Sequence, residues 1–124
     1  MNKMGLSRYQ ILAIEAEQEL RWTIIRELDQ IVPNCQIFFC EGVAEAIANL
    51  RVMDWYDLVV LGTGAGDTPR TVNGKLSALR RYCQNVRYVV FADRGLDATG
   101  VVTDAIVRKP SIQALADAVI PLLP

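Results

Sequence analysis

The sequence has no histidine and only three cysteines among its 124 residues. Without histidine, it lacks the commonest metal ligand and the commonest general base in proteins. The cysteines (Cys35, Cys40 and Cys83) are odd in number and show no metal-binding spacing. We therefore interpret them as free, buried and unreactive thiols in a reducing compartment, with redox sensing as the less favoured alternative.

Strong net charge and long apolar runs are also absent. The formal net charge is −1, which gives no bulk attraction to nucleic acid or to anionic membranes. The N-terminus has no signal-peptide core, and no apolar run reaches membrane-spanning length. We therefore expect a cytoplasmic protein without direct nucleic-acid or membrane partners. The length predicts one domain over residues 1–124, and the apolar C-terminal end leaves open that this domain belongs to a longer protein.

The chain does contain short apolar segments that alternate with amphipathic ones, after a loose leader at 1–7. The predicted strands are 9–14, 36–39, 58–61, 86–91 and 105–107, and the predicted helices are 15–32, 43–50, 75–84 and 112–120. This alternation predicts a doubly wound, flavodoxin-like parallel sheet. About a dozen residues, including glycines and β-branched residues, separate the last two strands. The helix expected between them is therefore shortened or missing.

A glycine-rich loop over residues 62–73 follows the third strand, at the end of the sheet where such folds bind ligands. The loop lacks the spacing of a dinucleotide fingerprint and the Gly-Lys-Ser/Thr ending of a phosphate loop. We favour a flexible connector over a phosphate cradle, and we expect Pro69 and the polar residues beyond it to delay the next helix. Glu15, Glu17 and Asp67 could form a cation site, but a solvated acidic rim is favoured.

Several segments together resemble the receiver domains of bacterial response regulators over nearly the whole chain. They are ILAIEAE at 11–17, YDLVVL at 56–61, NGKL at 73–76, YVVFA at 88–92 and IVRKP at 106–110. Their order and spacing imply the CheY-like form of the flavodoxin-like fold.

The resemblance also implies a phosphorylation site of which little remains. The corresponding positions are Glu15 and Ala16 for the acidic pair that holds Mg²⁺, Gly62 for the phosphoacceptor, Phe91 for the Thr or Ser, Ile106 for the aromatic switch residue and Lys109 for the lysine. Glycine cannot act as a nucleophile. The resemblance thus implies a degenerate, or pseudo-, receiver with no phosphoacceptor, catalytic residue, metal or cofactor. Lys109 either pairs with Glu15 or is simply exposed.

We interpret the chain as a phosphorylation-independent signalling module in a two-component pathway or related phosphorelay. Its expected partner is a protein, such as a kinase, another receiver or an output domain, and a homodimer is left open. The alternative is a small-molecule sensor that uses the emptied pocket. An enzyme is disfavoured because no nucleophile, base and orienting group can be assembled. Candidate partner contacts are Trp22, which lies opposite the apolar stripe of the first helix or folds over a loop, and Leu122 and Leu123.

Overall fold

The computed structural model describes residues 8–53 and 55–124, so the leader at 1–7 lies outside the described residues. These residues form a parallel sheet of five strands in the order β2-β1-β3-β4-β5. The strands are β1 (Tyr9–Ile14), β2 (Cys35–Cys40), β3 (Leu58–Gly62), β4 (Arg87–Ala92) and β5 (Ala105–Arg108). The predicted parallel sheet is therefore confirmed, and every predicted strand bound agrees within one residue.

Four α-helices cover the two faces of this sheet. They are α1 (Gln18–Ile31), α2 (Val43–Leu50), α3 (Pro69–Arg80) and α4 (Ile112–Val119), and a short 3₁₀ turn (Ile120–Leu122) follows α4. One apolar core lies between the sheet and α1 with α4, and a second lies between the sheet and α2 with α3. None of the described helices is long and apolar enough to cross a membrane.

The central strand β3 is covered on both faces. Its side chains alternate between the two cores, with Val60 in the core of α1 and α4, and Val59 and Leu61 in the core of α2 and α3. Burial on both faces is the reason for its continuous run of apolar residues. The strand thus holds its last residue, Gly62, in a fixed place at the carboxyl end of the sheet.

The segment between β4 and β5 contains no helix, as predicted from its glycines and β-branched residues. Side chains of α3 hold it in place instead. Asn73 donates to the Gly100 carbonyl (2.8 Å) and accepts from the Val102 amide (2.9 Å). Arg80 Nη2 donates to the Val102 carbonyl at 2.7 Å. Gly100 has a φ of 84°, a left-handed conformation that favours glycine.

The start of α3 differs from the prediction, because the helix begins at Pro69 rather than near Lys75. Thr68 caps the helix: its Oγ1 accepts from the Thr71 amide at 3.2 Å, while Thr71 Oγ1 accepts from the Thr68 amide at 2.8 Å. Proline is well suited to the first helical position, since its missing N–H would have no intrahelical partner there. Pro69 therefore starts the helix instead of delaying it.

Candidate functional site

A cleft of about 310 Å³ lies at the carboxyl ends of the central strands. Ligands of parallel α/β sheets bind at this end. Four of the five residues predicted for the vestigial pocket line the cleft: Glu15, Ala16, Gly62 and Lys109. The fifth, Phe91, is fully buried in the core of α1 and α4. The fold therefore brings the predicted positions together around one place.

The centre of the cleft holds a buried ion pair between Glu15 and Lys109. Lys109 Nζ lies 2.9 Å from Glu15 Oε1, donates to Oε2 at 3.1 Å, and donates to the Thr63 carbonyl at 2.7 Å. The side chains of Glu15 and Lys109 are only 4% and 10% exposed. The amide of Glu17 also donates to Glu15 Oε2, at 3.1 Å. Of the two alternatives left open by the sequence, pairing with Glu15 is therefore the one observed.

Gly62 lies directly against this ion pair. A Cβ added to Gly62 would be 2.9 Å from Glu15 Cδ and 2.9 Å from the Ile14 carbonyl oxygen, and closer still to Glu15 Oε1. Contacts this short force a neighbour to move, and here one neighbour is backbone. The absence of a side chain at position 62 is thus a condition for seating the Glu15 carboxylate where it lies.

Phe91 lies in the core next to the ion pair and does not line the cleft. It pairs with Gly62 in the register of β3 and β4, and its side chain lies on the same face of the sheet as Val60. Lys109 Nζ is 5.9 Å from the centroid of its ring, which is within the range of a cation–π contact. Phe91 therefore fills space with apolar bulk, and its aromatic face lies next to the ammonium group.

The glycine-rich loop is closed by Asp67. Its carboxylate accepts from the Gly64 amide (2.8 Å), from Thr71 Oγ1 (2.9 Å) and from Lys75 Nζ (3.0 Å). Burial opposes ionisation of Asp67, but the bonds from Gly64, Lys75 and Thr71 outweigh it and hold the pKa of this carboxyl below its usual value. The loop is thus a hydrogen-bonded turn, which corrects the expected flexible connector. The Gly64 amide, which a phosphate would need, already has an anionic partner.

The three carboxylates considered for a cation site do not converge. Glu15 pairs with Lys109, Asp67 pairs with Lys75, and Glu17 is exposed at the rim. Within residues 8–53 and 55–124, no group of His, Cys, Asp and Glu side chains could hold a metal ion. Glu15 and Asp67 therefore serve as partners for lysines.

The cysteine thiols all lie in the interior and form no disulfide. Burial, with the Asp29 carboxylate beside it, raises the pKa of Cys35 to about 11. Burial also raises the pKa of Cys40. Since the thiolate is the reactive form, this environment favours the interpretation as inert apolar residues.

The candidate partner contacts differ from one another in exposure. Trp22 is 60% exposed on the outer side of α1. Leu122 and Leu123, by contrast, are half-buried and pack against the core of α1 and α4. Tyr9 Oη donates to the Pro124 carbonyl at 2.8 Å and holds this tail near β1. The tail thus offers less free apolar surface than the sequence suggested.

Comparisons with known proteins bear on the fold. No protein-family model and no curated protein sequence matches the chain. Solved structures do match. A response regulator receiver protein from Sinorhizobium medicae is 22% identical over 95% of this chain and 96% of its own length, with a TM-score of 0.74.

Two further structures are similar over nearly their full lengths. The pilus assembly protein CpaE from Caulobacter crescentus is 17% identical, covers 90% of this chain and 97% of its own, and has a TM-score of 0.71. A chain from the complex of the phosphorylated CheA3 P1 domain with CheY6 of R. sphaeroides is 17% identical, covers 92% and 95%, and has a TM-score of 0.67. The chain has the CheY-like receiver fold. At identities this low, the structural similarity establishes only the fold of this receiver-like domain. The chemistry of the cleft depends on the residues of this chain.

Proposed function

We propose that this receiver-like domain is a phosphorylation-independent signalling module that acts through contacts with other proteins. The observation that supports it most strongly is the Glu15–Lys109 ion pair, which lies against Gly62 at the centre of the cleft. The domain would work in the cytoplasm, in a two-component or related pathway, without enzymatic activity of its own.

Two of the carboxylates that line the cleft, those of Glu15 and Asp67, already have partners within the protein. Acceptance requires a carboxylate oriented in line with the donor. The Glu15 carboxylate contacts Lys109, and the Asp67 carboxylate closes its own loop. Asp57 lies at the opposite end of β3, where its Oδ2 accepts from the Gln10 amide at 2.8 Å. These assignments support a domain that no longer takes up phosphate.

The arrangement also supports a single fixed state. A phosphoryl group would bring negative charge to the pocket lysine, whereas here the buried Glu15 carboxylate supplies that charge permanently. The segment between β4 and β5 is likewise held by Asn73 and Arg80 of α3. We therefore propose that partners recognise a constitutive surface that includes Trp22. The partner is a kinase, another receiver or an output domain.

A small-molecule sensor is less well supported. The cleft volume of about 310 Å³ is at the low end for ligand pockets. A ligand at its centre would have to displace Glu15 from Lys109 or bind beside them. The Glu15–Lys109 pair occupies the centre of the pocket that motivated this alternative.

The test is incubation with acetyl phosphate and Mg²⁺, followed by intact-mass measurement. We expect no added phosphoryl group on the wild-type domain, and none on Gly62→Asp, because the new carboxylate would collide with Glu15. A receiver with an intact acidic site is the positive control. Stable phosphorylation of the wild type that disappears in Asp67→Asn would show that Asp67 accepts phosphate and would overturn the proposal.

A further inference from the structure

One of the two edge strands of the sheet, β2, is uncharged and largely apolar. Strand β2 has the sequence CQIFFC and pairs with β1 on one side, while no other described strand covers its second side. Ile37, Phe38 and Phe39 are only half-buried, although they are large and apolar. Natural edge strands usually avoid such exposure with charges, proline or bulges, because an open edge is a template for pairing with another strand.

The backbone of β2 leaves a regular row of groups facing outwards. The Asn34 carbonyl accepts from the Tyr9 amide, and the Cys40 carbonyl accepts from the Glu15 amide. In a parallel ladder, alternate residues of a strand bond to the same neighbour. The even-numbered residues of β2 therefore bond to β1. The backbone N–H and C=O groups of Cys35, Ile37 and Phe39 point away from the sheet.

Helix α1 adds exposed apolar side chains beside this edge. Arg21 Nη2 lies 3.8 Å from Glu41 Oε1, just after the end of β2. Asp29 Oδ1 accepts from the Cys35 thiol (3.9 Å) at the start of β2. The helical row through Arg21 and Asp29 thus runs along the strand and places Ile25, which is 44% exposed, beside its middle. Trp22 lies one turn away. We call Trp22, Ile25 and strand β2 the edge surface.

We infer that the edge surface binds a second copy of this chain, with the two β2 strands antiparallel about a two-fold axis near their centres. Each backbone hydrogen bond and each apolar contact would then occur twice, as symmetry requires. β2 carries no charged residue, so two copies can approach without repulsion from the strand. A two-fold axis perpendicular to the strands makes them antiparallel, and it places the outward-facing backbone groups of Ile37 and Phe39 in one copy opposite those of the other.

The size of the edge surface predicts a weak dimer. A strand of this length extends for about 20 Å, and only one helical row lies beside it. The buried area therefore falls at the small end of specific interfaces, which predicts association at micromolar concentrations and above. None of the residues of the edge surface lines the cleft. The inference therefore does not depend on the chemistry of the cleft. Trp22 belongs both to the edge surface and to the surface proposed for other partners, so the test uses Ile25 instead.

The experiment is sedimentation equilibrium of the purified chain from low micromolar to its highest soluble concentration. We expect a monomer–dimer equilibrium in the wild type, and Ile25→Lys should weaken it about tenfold or more, because two ammonium groups would meet near the axis. Val52→Lys is the matched control, since Val52 is 83% exposed and lines a surface depression with Arg81 and Tyr82 rather than with α1 or β2. Thermal unfolding of each variant checks that it is folded.

Hydrogen exchange distinguishes strand pairing from other modes of association. At high concentration, the amides of Ile37 and Phe39 should become protected in the wild type but not in Ile25→Lys. A wild type that is monomeric at every concentration would overturn the inference. A dimer that Ile25→Lys leaves intact, or one without new protection in β2, would overturn it equally.

Discussion

At the carboxyl end of the sheet, charged side chains are buried and paired with one another, whereas along the edge surface apolar side chains of the described residues are exposed. Glu15 and Lys109 are almost completely buried in the cleft, while Trp22 and Ile25 of α1 face solvent. In the cleft, Glu15 and Lys109 bind each other, and Asp67 binds Lys75, so few charged groups remain for a ligand. The edge surface has groups whose burial would be favourable only in contact with another molecule. The difference moves the expected function from the cleft to the outer surface.

The largest effect should come from removing the cation of the cleft. Lys109→Ala would leave the buried Glu15 carboxylate without its partner, and breaking a buried ion pair in this way costs about 3–5 kcal/mol. Urea denaturation should show this loss in the free energy of unfolding. The double variant Glu15→Leu/Lys109→Met, which removes both charges, should be considerably more stable than Lys109→Ala. A loss below about 1 kcal/mol in Lys109→Ala would mean that the pair is solvated and that the cleft is open.

The cleft contains contacts that could not be predicted from the sequence alone. The sheet could be predicted from the periodicity of apolar residues. The absence of a helix between β4 and β5 could be predicted from the glycines and β-branched residues of that short segment. Both are local patterns. The pairing of Glu15 with Lys109 stayed undecided because 94 residues separate them, and only the fold brings them together. Gly62 was interpreted only as a lost phosphoacceptor. Its second role, as space for the Glu15 side chain, has no signal in a single sequence.

Other misses have the same cause. The capping box that starts α3 depends on the reciprocal bonds of Thr68 and Thr71, and glycine content alone suggested a flexible loop. The edge surface requires knowing that β2 is the outer strand and that Ile25 lies beside it. Trp22 could be predicted to be exposed, since its angular position on α1 is local information. The position of Trp22 beside the edge strand β2 could not be predicted.

A methyl group at position 62 should have the next largest effect. Gly62→Ala would place Cβ against the Glu15 carboxylate and the Ile14 carbonyl, and overpacking of this kind costs about 1–3 kcal/mol. A double-mutant cycle with Glu15→Ala should give a coupling energy of about 1 kcal/mol or more, because the contact with the carboxylate disappears and only the contact with the Ile14 carbonyl remains. Gly64→Ala is the control, since nothing lies within 4 Å of its added Cβ. Equal losses at both positions would contradict the close fit.

The Asp67 turn should make a smaller contribution that depends on pH. The pKa of Asp67 is lowered in the folded state, so its stabilisation is present above the unfolded-state pKa and is lost as the pH falls through the folded-state value. Asp67→Asn should therefore lower stability at pH 7 by about 1 kcal/mol, and the difference from wild type should shrink in the acid range below about pH 4. Urea denaturation of both proteins across this pH range measures the difference in their free energies of unfolding. A constant difference at all pH values would show that ionisation of Asp67 is not involved.

The smallest effect on stability should come from Trp22. Trp22→Ala removes a side chain that is 60% exposed and lies off the buried stripe of Leu20, Ile24 and Leu28, so the free energy of unfolding should change by about 0.5 kcal/mol or less. Association should nevertheless weaken, both in the dimer and in pull-down of a partner, because exposed tryptophans at interfaces often carry much of the binding energy. Val52→Ala, at another exposed apolar position, controls for general surface effects. If Trp22→Ala destabilises the fold by more than about 2 kcal/mol, the side chain belongs to the core. The contrast between buried, paired charges in the cleft and exposed apolar side chains at the sheet edge then no longer holds.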